Sequence, residues 1–414
     1  MEINALSQRF QHVRQWTETL CRPLTNEDYV PQSMPDCSPI KWHLAHTSWF
    51  FDCFVLRHQK KDKLFHPQFD YLFNSYYGTI GACQPRFQRG LLTRPLVEEV
   101  FAYRRYVDEQ IQNLLAAGAD EKICALIELG VNHEQQHQEL ILTDVKHLFF
   151  CNPLRPIYAP KKETHDPTAE CEDKQWQHFD EGLRNIGANS SGFAFDNERP
   201  QHRFFVPEFS LQTTLVTNQE YLEFINDGGY RRSELWLSDG DICRQQDHWE
   251  APLYWEQRDQ EWWQFTLHGM QKIKADEPVC HLSYYEADAF SRWKNARLPS
   301  EEEWETAANL SALEGNFVES QHYHPRPPSD TYRSMQQLFG DVWEWTASSY
   351  TAYPGFQPLS GSLGEYNGKF MCNQIVLRGG SCVSPQSHLR ASYRNFFPPH
   401  TRWQFSGLRL AKSR

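Results

Sequence analysis

The sequence predicts an α+β protein with two domains of different character, and three observations support this. The chain has 414 residues, which is more than one hydrophobic core usually holds. Its first 150 or so residues carry apolar side chains at helical spacing. Beyond about residue 180, short alternating runs of apolar and polar residues are separated by Gly, Pro and Asn, as is typical of strands. We therefore expect a helical domain followed by a mixed domain.

The N-terminal half is predicted to form a four-helix bundle. Apolar residues recur at helical spacing in four segments, and packing these stripes against one another is the economical way to bury them. An irregular stretch, 73–95, follows the second segment; it is rich in Gly, Pro, Tyr and Arg and is too long for a simple connection. The four predicted helices cover about 6–20, 41–56, 96–115 and 122–150.

The C-terminal half is predicted to contain many short elements and long loops. Two amphipathic helices interrupt its strand-like runs, and each follows a favourable N-cap residue, Thr217 for the first and Ser283 for the second. A stretch rich in proline and charge separates the two halves. The predicted organisation is a helical bundle at 1–155, a linker at 156–182 and the mixed domain at 183–414.

Composition and charge exclude several classes of function. The chain carries 41 Lys and Arg against 53 Asp and Glu, a net charge of -12, so we expect no binding to nucleic acid. No apolar run approaches the ~20 residues that cross a bilayer, and the N terminus lacks the pattern of a signal peptide. The 11 Cys form no CxxC pair and are interpreted as reduced thiols. We expect a cytoplasmic protein that acts on small molecules; its oligomeric state is not predicted.

A pair of histidines one helical turn apart is the sharpest chemical signal. His133 and His137 occupy positions i and i+4 of a predicted helix, so their imidazoles share a face and can bind one metal ion. The letters HEQQH also match the HExxH motif of zinc peptidases, in which Glu134 would be the general base. Two features argue against a peptidase: no HxxGxxH continuation follows, and the helix belongs to a predicted bundle.

An upstream helix supplies a candidate third ligand. Its letters WHLAH offer His43 and His46, and the cores of helical bundles build metal sites from facing helices in this way. His46 is preferred because the residues that follow it continue the pattern of a buried helix face. His43 is then a candidate for a residue that contacts a metal ligand without binding the metal itself. Three imidazoles suit zinc, iron or copper alike, so the ligand type alone does not choose the metal.

Motifs in both halves carry a resemblance to a known family. They are KWHLAHTSWFF and NHEQQHQELI in the first half and GDVWEWTASSY, VLRGGSC, RASYRNFFPP and FSGLRLA in the second. The first pair is similar to the DinB-type bundle of the ergothioneine-type sulfoxide synthases. The second set resembles the formylglycine-generating-enzyme (sulfatase-modifying-factor) domain. The resemblance covers nearly the whole chain and implies a DinB-like four-helix bundle followed by a C-type-lectin-like domain.

The resemblance implies a non-haem Fe(II) enzyme that uses O2 to join a thiol sulfur to an imidazole carbon as a sulfoxide. The expected substrates are cysteine and hercynine, the trimethylammonio betaine of histidine. Carried over to this chain, the resemblance implies that His46, His133 and His137 bind the iron. It also implies substrate-binding roles, on the acceptor for Gln136, Asn395 and Phe396 and on the thiol donor for Arg86 and Arg89.

A tyrosine is the expected proton donor in this family, and its identity stays open. Tyr76 and Tyr77 stand together in the irregular loop, as in one branch of the family, and a phenol with a pKa near ~10 stays protonated at neutral pH. Other relatives use a tyrosine of the lectin-like domain, for which Tyr366 is the remaining candidate. We predict that Tyr77 or Tyr76 is the catalytic tyrosine.

One departure from the family pattern favours free cysteine as the donor. Phe397 stands where enzymes that use γ-glutamylcysteine carry an aspartate, so the charge that would pair with the dipeptide's ammonium group is missing. Couplings of the selenoneine or ovothiol type remain alternatives on the same scaffold. Formylglycine generation is disfavoured because Cys382 lacks a nearby partner cysteine. A non-catalytic binding module is the alternative from a different class.

Overall fold

A computed structural model describes residues 2–58, 65–161, 175–328 and 335–413 of the chain. The chain divides into two compact units. The first comprises Met1–Tyr158 together with a short segment from much later in the sequence, Leu359–Tyr366. The second comprises Ala159–Pro358 and Asn367–Arg414. The first unit is helical and the second mixes strands with helices, so the predicted α+β class is confirmed. Within the described residues, no helix has the length and apolar character needed to cross a membrane.

The first unit contains the four predicted long helices and a short additional one. They are α1 Ile3–Cys21, α2 Ile40–Phe54, α3 Phe69–Phe73, α4 Val97–Ala116 and α5 Glu121–Cys151. The ends of the long helices lie within about three residues of the predicted positions, because apolar periodicity locates a helix better than it locates its ends. Asp120 caps α5, since its carboxylate accepts a hydrogen bond from the Ile123 amide at 2.8 Å.

Helix α2 occupies the centre of the bundle. All of its residues are buried, as expected of a helix that is surrounded by neighbours on every side. It packs on α4 and α5, and α1 also packs on both of these helices. Gly130 of α5 faces the ring of Phe51, and a Cβ atom at this position would overlap that ring. The missing side chain therefore lets α5 approach α2 closely, next to the histidines that the two helices carry.

The second unit consists of short strands with helices between them. Its helices are α6 Asn218–Asn226, α7 Ser238–Gln246, α8 Tyr284–Trp293 and α9 Glu301–Ala308. Its strands are β1 Trp176–Phe179, β2 Gly182–Ile186, β3 His202–Val206, β4 Phe209–Gln212, β5 Trp255–Arg258, β6 Glu261–Thr266, β7 Gly269–Lys272, β8 Gly315–Asn316, β9 Phe339–Gly340, β10 Trp343–Ser349, β11 Ile375–Arg378, β12 Asn395–Phe397, β13 Ser406–Gly407 and β14 Ala411–Ser413. They pair in the orders β12–β11–β10–β13, β1–β4–β14, β5–β6–β7, β2–β3 and β8–β9.

The helix caps of this unit were easier to predict than its helix faces. Thr217 and Ser283 cap α6 and α8 as predicted, each by accepting a hydrogen bond from the amide three residues later. Helices α7 and α9 do not follow from the apolar pattern. In α9 the buried face includes Glu301 and Glu305, which pair with buried arginines. Charged residues on a buried face conceal the periodicity that marks a helix.

Strand β1 lies inside the predicted linker. It pairs antiparallel with β4, and Phe179 stacks on Phe209 with the ring centroids 4.7 Å apart. Four residues are too few to show an alternating pattern, and the charged residues before the strand hide it further. The second unit therefore begins before residue 183.

Candidate metal centre and substrate-binding residues

Three buried imidazoles from two helices come together in the first unit. His46 lies on α2, and His133 and His137 lie one turn apart on α5. The Nε2 atom of His133 is 3.2 Å from that of His46 and 3.1 Å from that of His137. Nitrogen ligands at about 2.0–2.1 Å from one metal ion lie about 3 Å from one another. The spacing of these imidazole nitrogens therefore fits a metal ion.

The protonation of the cluster also suits a metal. Burial is the main cause that lowers the pKa of each of the three histidines well below the usual range, and the neighbouring imidazoles add to it. All three are therefore neutral at physiological pH, which is the form that binds metals. His46 Nδ1 lies 2.6 Å from the Phe73 carbonyl oxygen, so Nδ1 carries the proton and Nε2 keeps its lone pair for the cluster.

His43 does not join the three converging nitrogens. It lies behind His137, with the two Nδ1 atoms 2.8 Å apart, and its own Nε2 lies 3.0 Å from an Asp144 carboxylate oxygen. This places His43 where it can orient His137, in keeping with the interpretation of the sequence. Asp144 was not expected at this place, because an isolated acidic residue on a helix usually faces water.

Glu134, the glutamate of the HExxH match, is engaged in a buried ion network. Its two carboxylate oxygens accept hydrogen bonds from Arg14 at 2.7 Å, Arg104 at 2.9 Å and Thr17 at 2.7 Å. Burial alone would raise the pKa of Glu134, but the two guanidinium groups and these hydrogen bonds outweigh it and hold the pKa below its usual value. A carboxylate held by two arginines is a poor general base, which disfavours the zinc peptidase alternative.

The predicted tyrosine pair lies in the irregular loop of the first unit. Tyr77 is fully buried against Trp49 and Phe54, with ring centroids 5.8 and 5.1 Å away. The Asn74 side chain bonds both the amide and the carbonyl of Tyr77 at 3.0 Å and so fixes this part of the loop. Burial, followed by the nearby Tyr76 and Tyr366 phenols, raises the pKa of Tyr77 well above 10. Its phenol is therefore protonated throughout the physiological range.

The segment Leu359–Tyr366 brings a third tyrosine into the first unit. The Tyr366 ring lies 5.6 Å from the His133 ring, and its hydroxyl donates a hydrogen bond to Gln136 Oε1. The Glu365 carboxylate accepts hydrogen bonds from the amides of Gly78 and Thr79, both at 3.0 Å, and from the Thr79 hydroxyl at 2.6 Å. These contacts tie the segment to the loop that carries the tyrosine pair and to the helix that carries His133.

Arg89 is a buried cation close to the histidines. Its guanidinium stacks on Trp42 with Cζ 3.5 Å from the ring centroid, and Trp42 stacks on His46 with centroids 4.5 Å apart. Arg89 donates a hydrogen bond to Ser38 Oγ at 2.9 Å, while its Nε has no hydrogen-bond partner among the described residues. Burial, followed by the charge of Arg86, lowers the pKa of Arg89 to about 9. Arg86 itself is exposed and donates to the Asp36 carbonyl.

Asn395 and Phe396 belong to strand β12 of the second unit. Asn395 pairs with Leu377 of β11, and its side chain accepts a hydrogen bond from the Phe396 amide at 2.9 Å. The Phe396 ring stacks on Tyr350 with centroids 4.0 Å apart. Both residues are only partly buried, so each retains surface that a ligand could contact.

Comparison with known proteins identifies the family. Residues 9–141 match the DinB superfamily, and residues 172–337 and 332–414 match the sulfatase-modifying factor enzyme 1-like domain. The hercynine oxygenase of Mycobacterium tuberculosis is 30% identical over 405 residues, which cover 91% of each chain. The chain belongs to the hercynine oxygenase family. The hercynine oxygenase of Mycolicibacterium smegmatis is 29% identical over 411 residues and 92% of each chain. Ergothioneine biosynthesis protein 1 of Schizosaccharomyces pombe is 26% identical over 236 residues, covering 53% of this chain and 28% of that protein.

Membership of the hercynine oxygenase family confirms the resemblance that the motifs indicated, including the order of the DinB-like and formylglycine-generating-enzyme-like parts. The sequence gives Asp144 no role and leaves Tyr366 only as the remaining candidate for a tyrosine of the lectin-like domain. Asp144 becomes visible only when α5 is packed on α2, since nothing in its own segment marks it. Tyr366 lies 230 positions from Gln136, and no periodic pattern relates a loop residue to a helix so far away in the chain.

Proposed function

We propose that the protein is a non-haem Fe(II) enzyme that joins cysteine to the imidazole ring of hercynine with O2 and forms a sulfoxide. The observation that supports this most is the set of three converging neutral imidazoles in a chain of the hercynine oxygenase family. In the reaction the thiol S–H bond and an imidazole C–H bond are broken and one C–S bond forms. O2 takes up four electrons, with one oxygen atom ending in the sulfoxide and the other in water.

The proposed iron ligands are His46, His133 and His137. When bound, Fe(II) would supply the activation of O2 and the lowering of the thiol pKa, which no side chain of the cluster can provide. The three imidazoles carry no charge, so the ion keeps its positive charge for binding an anionic donor. Three protein ligands also leave open positions for small molecules.

Arg89, supported by Arg86, is the proposed binding site for the carboxylate of the thiol donor. A guanidinium that is buried without its full set of hydrogen bonds is stabilised by an incoming carboxylate, which it can bind through two parallel hydrogen bonds. Arg89 stacks on Trp42, which in turn stacks on His46, so the proposed carboxylate-binding group lies on the same stack of rings as a proposed iron ligand.

The acceptor is proposed to bind through Gln136, Asn395 and Phe396. Gln136 lies on α5 between the two histidines, one residue before His137. Its side-chain amide can form a hydrogen bond with an imidazole nitrogen. The amide of Asn395 suits the acceptor's carboxylate, and an aromatic ring such as Phe396 attracts a quaternary ammonium group. These are the polar and cationic parts that a histidine betaine presents.

Loss of the catalytic phenol is expected to lower kcat rather than substrate binding. Tyr77→Phe or Tyr76→Phe should reduce kcat by about 100-fold or more, the usual effect of removing a positioned proton donor, with little change in KM or in iron content. Tyr366→Phe removes the hydrogen bond to Gln136, so its main effect should be a higher KM for the acceptor. Steady-state kinetics of the three variants separate these outcomes. A full kcat in both Tyr76→Phe and Tyr77→Phe would contradict the assignment.

Cysteine is expected to compete successfully with γ-glutamylcysteine when both donors are supplied at equal concentration. Phe397→Asp should shift the product ratio toward the dipeptide by about 10-fold, because a hydrogen bond to a charged group contributes ~1.5 kcal/mol. Phe397→Leu is the matched control, since it changes the side chain without adding charge. Mass spectrometry of the two products measures the ratio, and a wild-type preference for the dipeptide would reject free cysteine as the donor.

The proposed function is tested by loading the protein with Fe(II) without oxygen and then adding O2, cysteine and hercynine. The expected product has the combined mass of both substrates plus one oxygen atom minus two hydrogen atoms. Replacing hercynine by histidine tests the ovothiol-type alternative, and replacing cysteine by a selenium donor tests the selenoneine type. If no adduct formed with any of these donors and acceptors, the proposal would be overturned.

A further inference from the structure

His137, His43 and Asp144 are linked in series by two hydrogen-bonding contacts. His137 Nδ1 lies 2.8 Å from His43 Nδ1, and His43 Nε2 lies 3.0 Å from Asp144 Oδ2. All three side chains are buried, with 8%, 2% and 5% of their surface exposed. Water therefore has little access to these contacts, and the protons in the chain are assigned by the side chains themselves.

The direction of the protons follows from the carboxylate at the end of the chain. Asp144 Oδ2 is the acceptor for the Ser38 amide, and with the same oxygen accepting from His43, His43 Nε2 carries a hydrogen and donates it to Asp144. A metal ion on His137 would need the lone pair of Nε2, so the hydrogen of His137 belongs on Nδ1, from which it is donated to His43 Nδ1. His137 is left with a bare Nε2, the atom that lies 3.1 Å from His133 Nε2. The opposite arrangement would place a hydrogen on His137 Nε2 and block its lone pair.

Asp144 is itself held in place from the other side. The same Oδ2 atom accepts a hydrogen bond from the Ser38 amide at 2.8 Å, and Ser38 lies just before α2 begins. Because Asp144 lies in the C-terminal third of α5, this bond ties that part of α5 to the residues just before α2. The carboxylate therefore cannot turn away from His43 without losing a buried hydrogen bond.

The three imidazoles of the cluster are supported in different ways. His46 is fixed by a backbone carbonyl, that of Phe73, which a substitution elsewhere would leave unchanged. Within the described residues, His133 Nδ1 has no hydrogen-bond partner. Among the described residues, His137 is the member of the cluster whose Nδ1 is hydrogen-bonded to a side chain outside the cluster, so substitutions at His43 and Asp144 test its hydrogen bonding without removing a proposed ligand.

We propose, on the basis of the iron site proposed above, that Asp144 and His43 are positioning residues that set the tautomer and orientation of His137 and thereby raise the affinity of the site for metal. Residues that hold a metal-binding histidine from behind commonly contribute 10–100-fold to metal affinity. His43→Phe removes the acceptor for His137 Nδ1–H, and Asp144→Leu removes the acceptor for His43. Each is expected to weaken metal binding by about 10–100-fold.

The test measures metal affinity directly, by anaerobic titration of the full chain with Fe(II) and with Co(II), whose visible spectrum reports the coordination number and geometry of the bound ion. His43→Gln is the conservative variant, because its amide oxygen can accept from His137 Nδ1–H; its affinity should lie closer to wild type than that of His43→Phe. Asp52→Asn is the matched control. It changes a buried carboxylate of α2 that accepts a hydrogen bond from Tyr103 at 2.8 Å and takes no part in the chain.

The outcomes separate this proposal from the proposed function. Weaker binding and an altered Co(II) spectrum in His43→Phe and Asp144→Leu, with recovery in His43→Gln and none of these changes in Asp52→Asn, support the positioning role. Wild-type affinity in the first two variants overturns it even if the wild-type protein forms the sulfoxide. Equal weakening in Asp52→Asn also overturns it, because the effect would then come from general destabilisation. A wild-type protein that binds neither metal overturns both proposals.

Discussion

Replacing His133 by alanine is expected to abolish tight metal binding and the coupling reaction together. His133 is the central member of the cluster, since its Nε2 lies within 3.2 Å of the Nε2 atoms of both other histidines. Its removal leaves two imidazoles on different helices and takes away a direct ligand. The loss of affinity should exceed the ~100-fold upper range found for residues that only support a ligand. Equilibrium titration with Fe(II) and product mass spectrometry measure the two effects.

Thermal unfolding provides an independent measure of the same change. A ligand that binds only the folded protein stabilises it by about 2.7 kcal/mol at a concentration of 100 times its Kd. The wild-type protein should therefore unfold at a higher temperature when Co(II) is added without oxygen, and His133→Ala should not respond. His147→Ala is the matched control, because His147 lies on the same helix but bonds Ser33 Oγ at 2.7 Å and is outside the cluster. If Co(II) raised the unfolding temperature of His133→Ala as much as that of the wild type, the proposed site would be contradicted.

The parts of the site that could be predicted are those governed by regular geometry. Two histidines four residues apart share a face of any helix, and His46 could be added because bundle helices face one another. Tyr366 and Asp144 could not be predicted in the same way. The first reaches Gln136 through a loop whose path depends on many weak contacts, and the second depends on how far α5 rotates against α2. Their positions are properties of packing and not of local sequence.

The fold shows the same division. The long helices follow from apolar periodicity, and the caps at Thr217 and Ser283 follow from side-chain chemistry that acts within three residues. Helix α9 and strand β1 were missed because the buried face of the one carries glutamates and the other has only four residues. In both cases the stabilising partner is distant in sequence: arginines near the C terminus for α9 and strand β4 for β1.

Glu134→Gln is expected to destabilise the helical unit by about 3 kcal/mol, because removing one partner of a buried ion network leaves the other charges uncompensated. The carboxylate of Glu134 is fully buried and serves both Arg14 and Arg104. An amide retains the shape but can accept from only one oxygen, so one guanidinium would face an N–H group. Chemical denaturation followed by the helical circular dichroism signal measures the loss. The same substitution in a zinc peptidase would remove the general base and leave stability nearly unchanged.

The destabilisation should depend on pH in a defined direction. The folded protein holds the pKa of Glu134 below its usual value of 4.5, so the carboxylate binds a proton more readily in the unfolded chain. Its contribution to stability is therefore complete above that pH and is lost as the pH falls through the lower, folded-state pKa. The difference in unfolding free energy between wild type and Glu134→Gln should be largest near neutral pH and should narrow in acid.

Asp108→Asn separates the effect of burial from that of losing any ion pair. Asp108 also pairs with Arg14, at 2.6 Å, but its side chain is 28% exposed. Water can replace the lost interaction there, so the expected cost is at most about 1 kcal/mol. If Glu134→Gln and Asp108→Asn lowered the free energy of unfolding equally, burial would not determine how strongly the ion network stabilises the protein. A Glu134→Gln protein as stable as wild type would mean that the two arginines are satisfied without the carboxylate, and the glutamate would again be available as a base.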